Sequence, residues 1–375
     1  MKIELISVIG LLLCLLVIGI EYILHFRLAE MQDEHTNRVE NIRRRLAIHV
    51  EGVLFAPTES SRDAEIQALA DEINGDFEVY ELALQAIREH KGSAIGADPE
   101  ALERLVEQIN RRVDPVSIYA QMLESGDVYH KGYACRRLAE LNAVEYKDKI
   151  RELTEDKTRD LAYNAAMALC HMGDTDAVAR YLLSIQDDRL YSGRIINEFF
   201  SKFAGDRQAL AGQLFEKCNK YMRCTIIKTL PNYKIEAFRP MYIEGATGND
   251  VQMKIACVKA LSAFGYAEDE QLLQMAATDK NWVIRSASVR GLSQMRTPTA
   301  LATVKRLLGD REWWVRQTAA QAITKMDISP RDIEEILGGY DRFAADAMKN
   351  VLYKNIGGID EPSASALSAA LEKSV

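Results

Sequence analysis

The sequence predicts an all-α fold, and three observations predict it. The 375 residues include only 21 glycines and 8 prolines, about 8% of the chain against roughly 12% in an average protein. So few breakers argue against a sandwich, a barrel or a disordered chain and favour many helices with short turns. An uncharged apolar run, Leu5 to Ile20 (LISVIGLLLCLLVIGI), stands at one end, and a pattern of apolar, basic and small residues recurs every 31 positions further on. The apolar fraction of 48% supports a sizeable core, and the net charge of −8 argues against nucleic acid as a partner. Six cysteines (Cys14, Cys135, Cys170, Cys218, Cys224, Cys257) lack any CxxC pair and read as free, mostly buried thiols in a reducing compartment. A Cys218–Cys224 disulfide is the alternative.

Counted outward from the apolar run, Ile3 to Leu24 is 22 residues. As a helix it is about 33 Å long, enough for a hydrocarbon core of about 30 Å. Residues 1–26 are therefore expected to form a transmembrane anchor, with residues 3–24 in the lipid bilayer. A cleaved signal peptide is the rival reading. Against it, the run exceeds a usual h-region, the n-region offers only Lys2, and no A-x-A-like site precedes EYILHFRLAE. Arg27, Arg38 and Arg43 to Arg45 outweigh Lys2 and the terminal amine, so the N-terminus is expected outside the cell membrane and the remainder in the cytoplasm.

Residues 27–125 are expected to form a helical juxtamembrane region. Over 27–56, Leu28, His35, Ile42 and His49 sit seven apart, as do Gln32, Val39, Leu46 and Val53. This partial coiled-coil seam fits a dimerising stalk or an amphipathic helix packed on its own domain. The Arg43 to Arg45 triplet fits anionic headgroups or a solvated cluster. PTESSRDAE breaks the helix, with Ser60 or Ser61 as N-cap. Helices are then expected at about 62–73 and 77–90. After the loop GSAIGADPE, with Asp98 as N-cap and Pro99 at the first helical position, a third runs to about Arg112. Pro115, which restricts Asp114, marks the next boundary.

The repeat occupies 126–375. Asp250-Val-Gln-Met-Lys-Ile-Ala-Cys-Val-Lys-Ala-Leu261 is followed in register by Asn281-Trp-Val-Ile-Arg-Ser-Ala-Ser-Val-Arg-Gly-Leu292 and Glu312-Trp-Trp-Val-Arg-Gln-Thr-Ala-Ala-Gln-Ala-Ile323. The register extends back through Leu230, Phe199 or Phe200, Leu169 and Leu138, giving seven repeats, with a degenerate eighth near Leu352. Over 283–295, Ile284, Ala287, Ser288, Gly291, Leu292 and Met295 form one helical face. Shorter partner helices are expected at 268–278, 298–308 and 329–337, with Asp279 and Asp310 at the turns. One such pair cannot bury its apolar face alone, whereas a stack makes a continuous core.

The pattern D/N-x-x-V-R-x-x-A-x-x-A-L, clearest in NWVIRSASVRGL and EWWVRQTAAQAI, resembles HEAT-type repeats, including the short bacterial variety. The resemblance spans roughly 127–355 and is strongest over 220–326. It implies a right-handed α-solenoid that binds proteins or other large ligands. The early repeats depart from the pattern, with His130-Lys131 and Leu161-Ala162 where later units carry an Arg.

Two basic series follow the register. Arg223, Lys254, Arg285 and Arg316 share one position, where the resemblance implies a structural ladder to an acidic or carbonyl group of a neighbouring turn. Lys228, Lys259 and Arg290 lie five residues later. At 100° per residue Arg290 is roughly 130° from the core face, so this stripe is expected to face solvent and to suit an acidic protein segment or another anion. Solvated surface charge is the plain alternative, and the stripe lapses at Gln321. Trp282, Trp313 and Trp314 start second helices and suit partner anchoring or packing between repeats. No HExxH, GxGxxG, Walker or GxSxG motif occurs. Asp174-Thr175-Asp176 reads as a helix cap and Cys170-His171 as core, and the six histidines show no metal-ligand pairing. No catalytic residue, metal or cofactor is expected.

The expectation is a membrane-anchored scaffold or adaptor whose solenoid binds a membrane or membrane-proximal protein. Resemblance to anchored repeat proteins of bacterial envelope systems suggests an accessory to a polysaccharide-synthesising glycosyltransferase. A phycobilin-lyase-like enzyme or enzyme accessory, which needs a pigment-sized pocket, is the alternative. A nucleic-acid-binding solenoid like some DNA-repair glycosylases is opposed by the acidity and the apolar run.

Overall fold

No proline interrupts the first 56 residues, and the chain forms one helix there, α1 (Lys2–Leu54), about 80 Å long at 1.5 Å per residue. The computed structural model describes residues 2–90, 99–187, 193–326 and 328–356, without the side chains of 2–17, Gly19, His90 and 353–356. Most of the expected span at 3–24 thus lies outside the residues with described side chains. Among the described residues no helix is long and apolar enough to cross a membrane. Those of α1 that are described expose apolar side chains from Ile18 through Phe26 to Met31.

The chain divides into two compact units, Met1–Tyr146 and Lys147–Val375. The first contains α1, α2 (Glu59–Ile73), α3 (Phe77–His90), α4 (Pro99–Val113), α5 (Pro115–Ser125) and α6 (Val128–Glu140). The first unit continues through α6, which packs against α5 and buries Ala134, Cys135 and Leu138. The C-terminal half of α1 packs on α2 and α3, burying Leu46, Val50 and Val53. In that half the heptad series meets its own unit, whereas Leu28, Gln32 and His35 are exposed. Arg43 pairs with Glu89 at 2.5 Å, Arg45 with Glu72 at 2.7 Å and Arg44 with Glu40 at 3.5 Å, so the basic triplet is matched by acids of this unit.

One local expectation is corrected here. Thr58, not Ser60 or Ser61, caps α2: it holds the extended conformation a cap needs, and its side-chain oxygen accepts the Ser61 N–H at 3.1 Å. The boundary at Asp114 stands as expected: α5 begins at Pro115, and Asp114 is left-handed (φ 48°, ψ 75°), since Pro115 disfavours the right-handed helical region and aspartate tolerates the left-handed one. The expected cap Asp98 lies outside the described residues.

The second unit alternates first and second helices. The first helices are α7 (Lys147–Leu153), α9 (Thr175–Ser184), α11 (Arg207–Lys217), α13 (Arg239–Thr247), α15 (Glu270–Ala276), α17 (Pro298–Leu307) and α19 (Pro330–Gly338). The second helices are α8 (Arg159–His171), α10 (Gly193–Lys202), α12 (Lys220–Thr229), α14 (Val251–Phe264), α16 (Trp282–Met295), α18 (Trp313–Ile323) and α20 (Arg342–Ile356). Each second helix packs on the next, from α8 through to α20. First helices join the stack through α9 on α11 and α15 on α17. The expected degenerate eighth repeat is a formed helix pair, α19 and α20, with Leu352 buried. Asp, Asn, Thr and Ser stop the turns from fraying. Asp174, Asp206, Asn219, Asp250, Asn281, Thr297 and Ser329 each accept a backbone N–H of the helix they precede.

At the centre, α16 is buried on more than its expected face, because α14, α15, α17 and α18 surround it. Ile284, Ala287, Ser288, Gly291 and Leu292 are buried, and so are Arg285, Ser286 and Val289. Gly291 is required by close approach: a Cβ there would stand 2.6 Å from Leu273 Cδ1 and 2.9 Å from Ser262 Cα.

Candidate functional site

The two basic series meet different fates. Arg285 is 5% exposed and donates from Nε and Nη2 to the two carboxylate oxygens of Asp310, both at 2.7 Å. Its Nη1 also donates to the carbonyls of Asp279 (2.9 Å) and Lys280 (3.0 Å). Lys254 Nζ lies 2.7 Å from Asp279 Oδ2. Arg316 repeats the carbonyl contacts one unit on, to Asp310 (2.8 Å) and Arg311 (3.1 Å), and its guanidinium stacks over Phe343 at 4.9 Å. Arg223 donates to the Phe215 carbonyl at 2.6 Å, while its buried Nε lacks a partner. The residue 25 positions beyond Arg223 is Gly248, so no aspartate stands where Asp279 and Asp310 serve the next two units.

The ladder aspartates do two tasks. Asp279 Oδ1 accepts the Asn281 N–H and Asp310 Oδ1 the Glu312 N–H, both at 2.8 Å, closing the turn into each second helix. Burial pushes the Asp310 carboxyl up, but the Arg285 hydrogen bonds and charge, with the Glu312 N–H, hold it below its ordinary value. Asp279 is held low in the same way, burial being outweighed by Lys254 and the Asn281 N–H. Asp174, from the D-x-D triplet, caps α9 through the Ala177 N–H and takes Arg151 at 2.6 Å, as a cap does.

The stripe has no such acceptors. Lys228 and Arg290 are exposed and Lys259 is half-buried. Among the described residues none of the three forms an ion pair through its side chain. They stand on α12, α14 and α16, which pack side by side. Burial pulls the Lys259 ammonium below the ordinary lysine value, and the charges of Lys228 and Arg290 on its two sides pull it further. The three cations therefore repel one another across one surface with no internal neutralisation.

Trp282, Trp313 and Trp314 are 39%, 48% and 59% exposed, so packing between repeats does not use them up. Trp313 and Trp314 meet edge to face, centroids 4.6 Å apart. The sequence reading missed Tyr221, 59% exposed, which the repeat makes visible. Tyr221, Gln252, Val283 and Trp314 follow at intervals of 31, each seven residues before Lys228, Lys259, Arg290 and Gln321 in turn. Seven residues are about two helical turns, so the two series share one helical face. An exposed aromatic thus stands on the first and last helix of the four.

The remaining chemistry is sparse. Cys135, Cys170, Cys218, Cys224 and Cys257 are free and buried, with the Cys135, Cys170 and Cys257 thiols pushed up to about 12 by burial. The Cys170 thiol donates to the Phe199 carbonyl in the core. Among the described residues no group of three His, Cys, Asp or Glu is placed to hold a metal ion. In the first unit a cleft of ≈ 790 Å³ is lined by Phe77, Glu78, Ile118, Met122 and His130. The His130 ring edges onto Phe77 with centroids 5.3 Å apart, and its Nδ1 lies 2.9 Å from Asp127 Oδ1.

Comparison with known proteins agrees with the repeat. Residues 270–349, from α15 into α20, match the HEAT repeats family, so the chain carries HEAT-like repeats there. Three solved structures illustrate the wider similarity. Kap121p bound to Pho4p is 12% identical over 89% of this chain and 41% of that one, with a TM-score of 0.42. An engineered protein is 12% identical over 88% and 97%, with a TM-score of 0.34. The CpcE–CpcF complex of phycocyanin lyase from Nostoc sp. PCC7120 is 17% identical over 69% and 94%, with a TM-score of 0.27. At these scores none of the three decides fold or function. No curated protein matches the sequence.

Proposed function

We propose that this chain is a non-catalytic scaffold, held at the cell membrane by the N-terminal end of α1, whose row of second helices binds a partner protein. The observation that carries the reading is the set Lys228, Lys259 and Arg290, three cations in one register without a counterion among the described residues. A surface already formed by packed helices costs little ordering entropy on binding. The tether is supported by the apolar run at 3–24 and by the exposed apolar side chains from Ile18 to Met31. The arginines after the run support a cytoplasmic second unit and a membrane or membrane-proximal partner. An accessory role to an envelope glycosyltransferase is the specific form of this reading, and it rests on resemblance alone.

A photo-crosslinking residue at Gln321, in native membranes followed by mass spectrometry, tests the scaffold. Reproducible capture of one protein supports it, and capture of none overturns it. Orientation is tested with a single cysteine at Ser363 in a background lacking the native cysteines, where labelling from outside intact cells rejects the cytoplasmic placement. One observation, the cleft beside His130, favours a second reading as an enzyme accessory for a pigment-sized ligand. Visible absorbance after co-expression with a bilin, lost in His130→Ala, is its test.

A further inference from the structure

We propose that the stripe takes an acidic segment of the partner in the polyproline II conformation, with a carboxylate at every third residue. This deepens the scaffold reading and rests on it. The argument is one of spacing. Lys228, Lys259 and Arg290 occupy the same position of α12, α14 and α16, and these helices are in direct contact. Packed helices lie about 8–10 Å apart axis to axis, so the backbone positions that carry successive cations are separated by about that distance. A polyproline II chain has three residues per turn at 3.1 Å each, which returns side chains to one face about every 9 Å. A β-strand returns them about every 6.7 Å and drifts out of step after one cation.

The flanking chemistry agrees with this ligand. Tyr221 lies about two helical turns from Lys228, toward the N-terminal end of α12, and Trp314 holds the same register on α18, one helix beyond Arg290 and seven residues before Gln321; both rings are more than half exposed. Prolyl or apolar residues between the carboxylates pack on such aromatics, the usual way polyproline II segments are recognised. Polyproline II also carries no internal hydrogen bonds and is already extended, so little order is lost on docking. Lys259 is the natural centre: a carboxylate placed there relieves the like charge that Lys228 and Arg290 impose on it.

The test is fluorescence anisotropy with the full chain in detergent micelles and two labelled peptides of equal composition and charge. One has four Glu-Pro-Pro units and the other has its glutamates contiguous. The spaced peptide is expected to bind at least about tenfold more tightly, and added salt to weaken it, as for charge-steered recognition. Combined Lys228→Glu, Lys259→Glu and Arg290→Glu is expected to abolish that binding. Combined Lys228→Gln, Lys259→Gln and Arg290→Gln, with an unchanged circular dichroism spectrum, is expected to weaken it about tenfold. Equal affinity for the two peptides, or binding indifferent to both sets of substitutions, overturns the inference. So does tighter binding of a helical peptide with glutamates seven apart, or of a single-stranded RNA of similar length. If the peptides fail while the crosslinker at Gln321 still captures a protein, the spacing is wrong and the scaffold stands. If neither binds, both fall.

Discussion

The two basic faces of the second helices are alike in sequence and opposite in use. Lys254 and Arg285 sit near the starts of α14 and α16, and Lys259 and Arg290 lie five residues further along the same helices. The first pair is consumed by Asp279 and Asp310, each 25 residues ahead, and among the described residues the second pair meets no acid. Both positions are basic in every unit from α12 to α16, so recurrence alone does not separate structure from binding. The acceptor within reach does: where the next unit supplies an aspartate the cation locks one unit to another, where only carbonyls of its own pair are in reach it closes that pair's turn, and elsewhere it remains available.

The largest expected break is Arg285→Ala. It leaves the Asp310 carboxylate buried without its partner and is expected to cost about 3–5 kcal/mol in urea unfolding. The exposed stripe residue Arg290, changed to Ala, is expected to stay within about 0.5 kcal/mol of the parent, which is the comparison in its sharpest form. Gly291→Ala follows at about 1–3 kcal/mol, because the added methyl meets the Ser262 backbone, which cannot swing aside as the Leu273 side chain can.

Acid should weaken the ladder face and leave the stripe face unchanged. Asp174, Asp279 and Asp310 have folded values below their unfolded ones, so the folded chain binds fewer protons in this range. Their contribution is complete above the unfolded value of about 4 and is lost as pH falls through the depressed folded values. Unfolding midpoints measured down that range should fall less steeply in Asp310→Asn than in the parent. The smallest effect belongs to Lys259. Its folded value lies below the unfolded one, so stability should rise slightly as pH climbs through the depressed value toward the ordinary lysine range. Lys259→Met should remove that rise, while binding of an acidic ligand should weaken over the same alkaline range in the parent.

Much of this was legible beforehand because the 31-residue register is a one-dimensional record of a one-dimensional stack. Helix pairs, caps at Asp and Asn, the core face of α16 and the separation of ladder from stripe all follow from spacing and 100° per residue. The particular partners did not. Arg223 and Arg316 carry the ladder register yet bond carbonyls: Gly248 stands where Arg223 would need an acid, and Arg316 lies over the Phe343 ring although Asp341 follows at the ladder spacing. Tyr221 was readable from the register, since it shares a repeat position with Trp314.

By itself the sequence determined an all-helical chain, its repeat and the positions of its charges, because these depend on local periodicity and on few chain breakers. Tertiary structure decided where the first unit ends, that the C-terminal half of α1 packs on α2 and α3, and which cations find acceptors. Those outcomes depend on groups 25 or more residues apart meeting in space, and the energy of a buried charge is set by that meeting rather than by its neighbours in the chain.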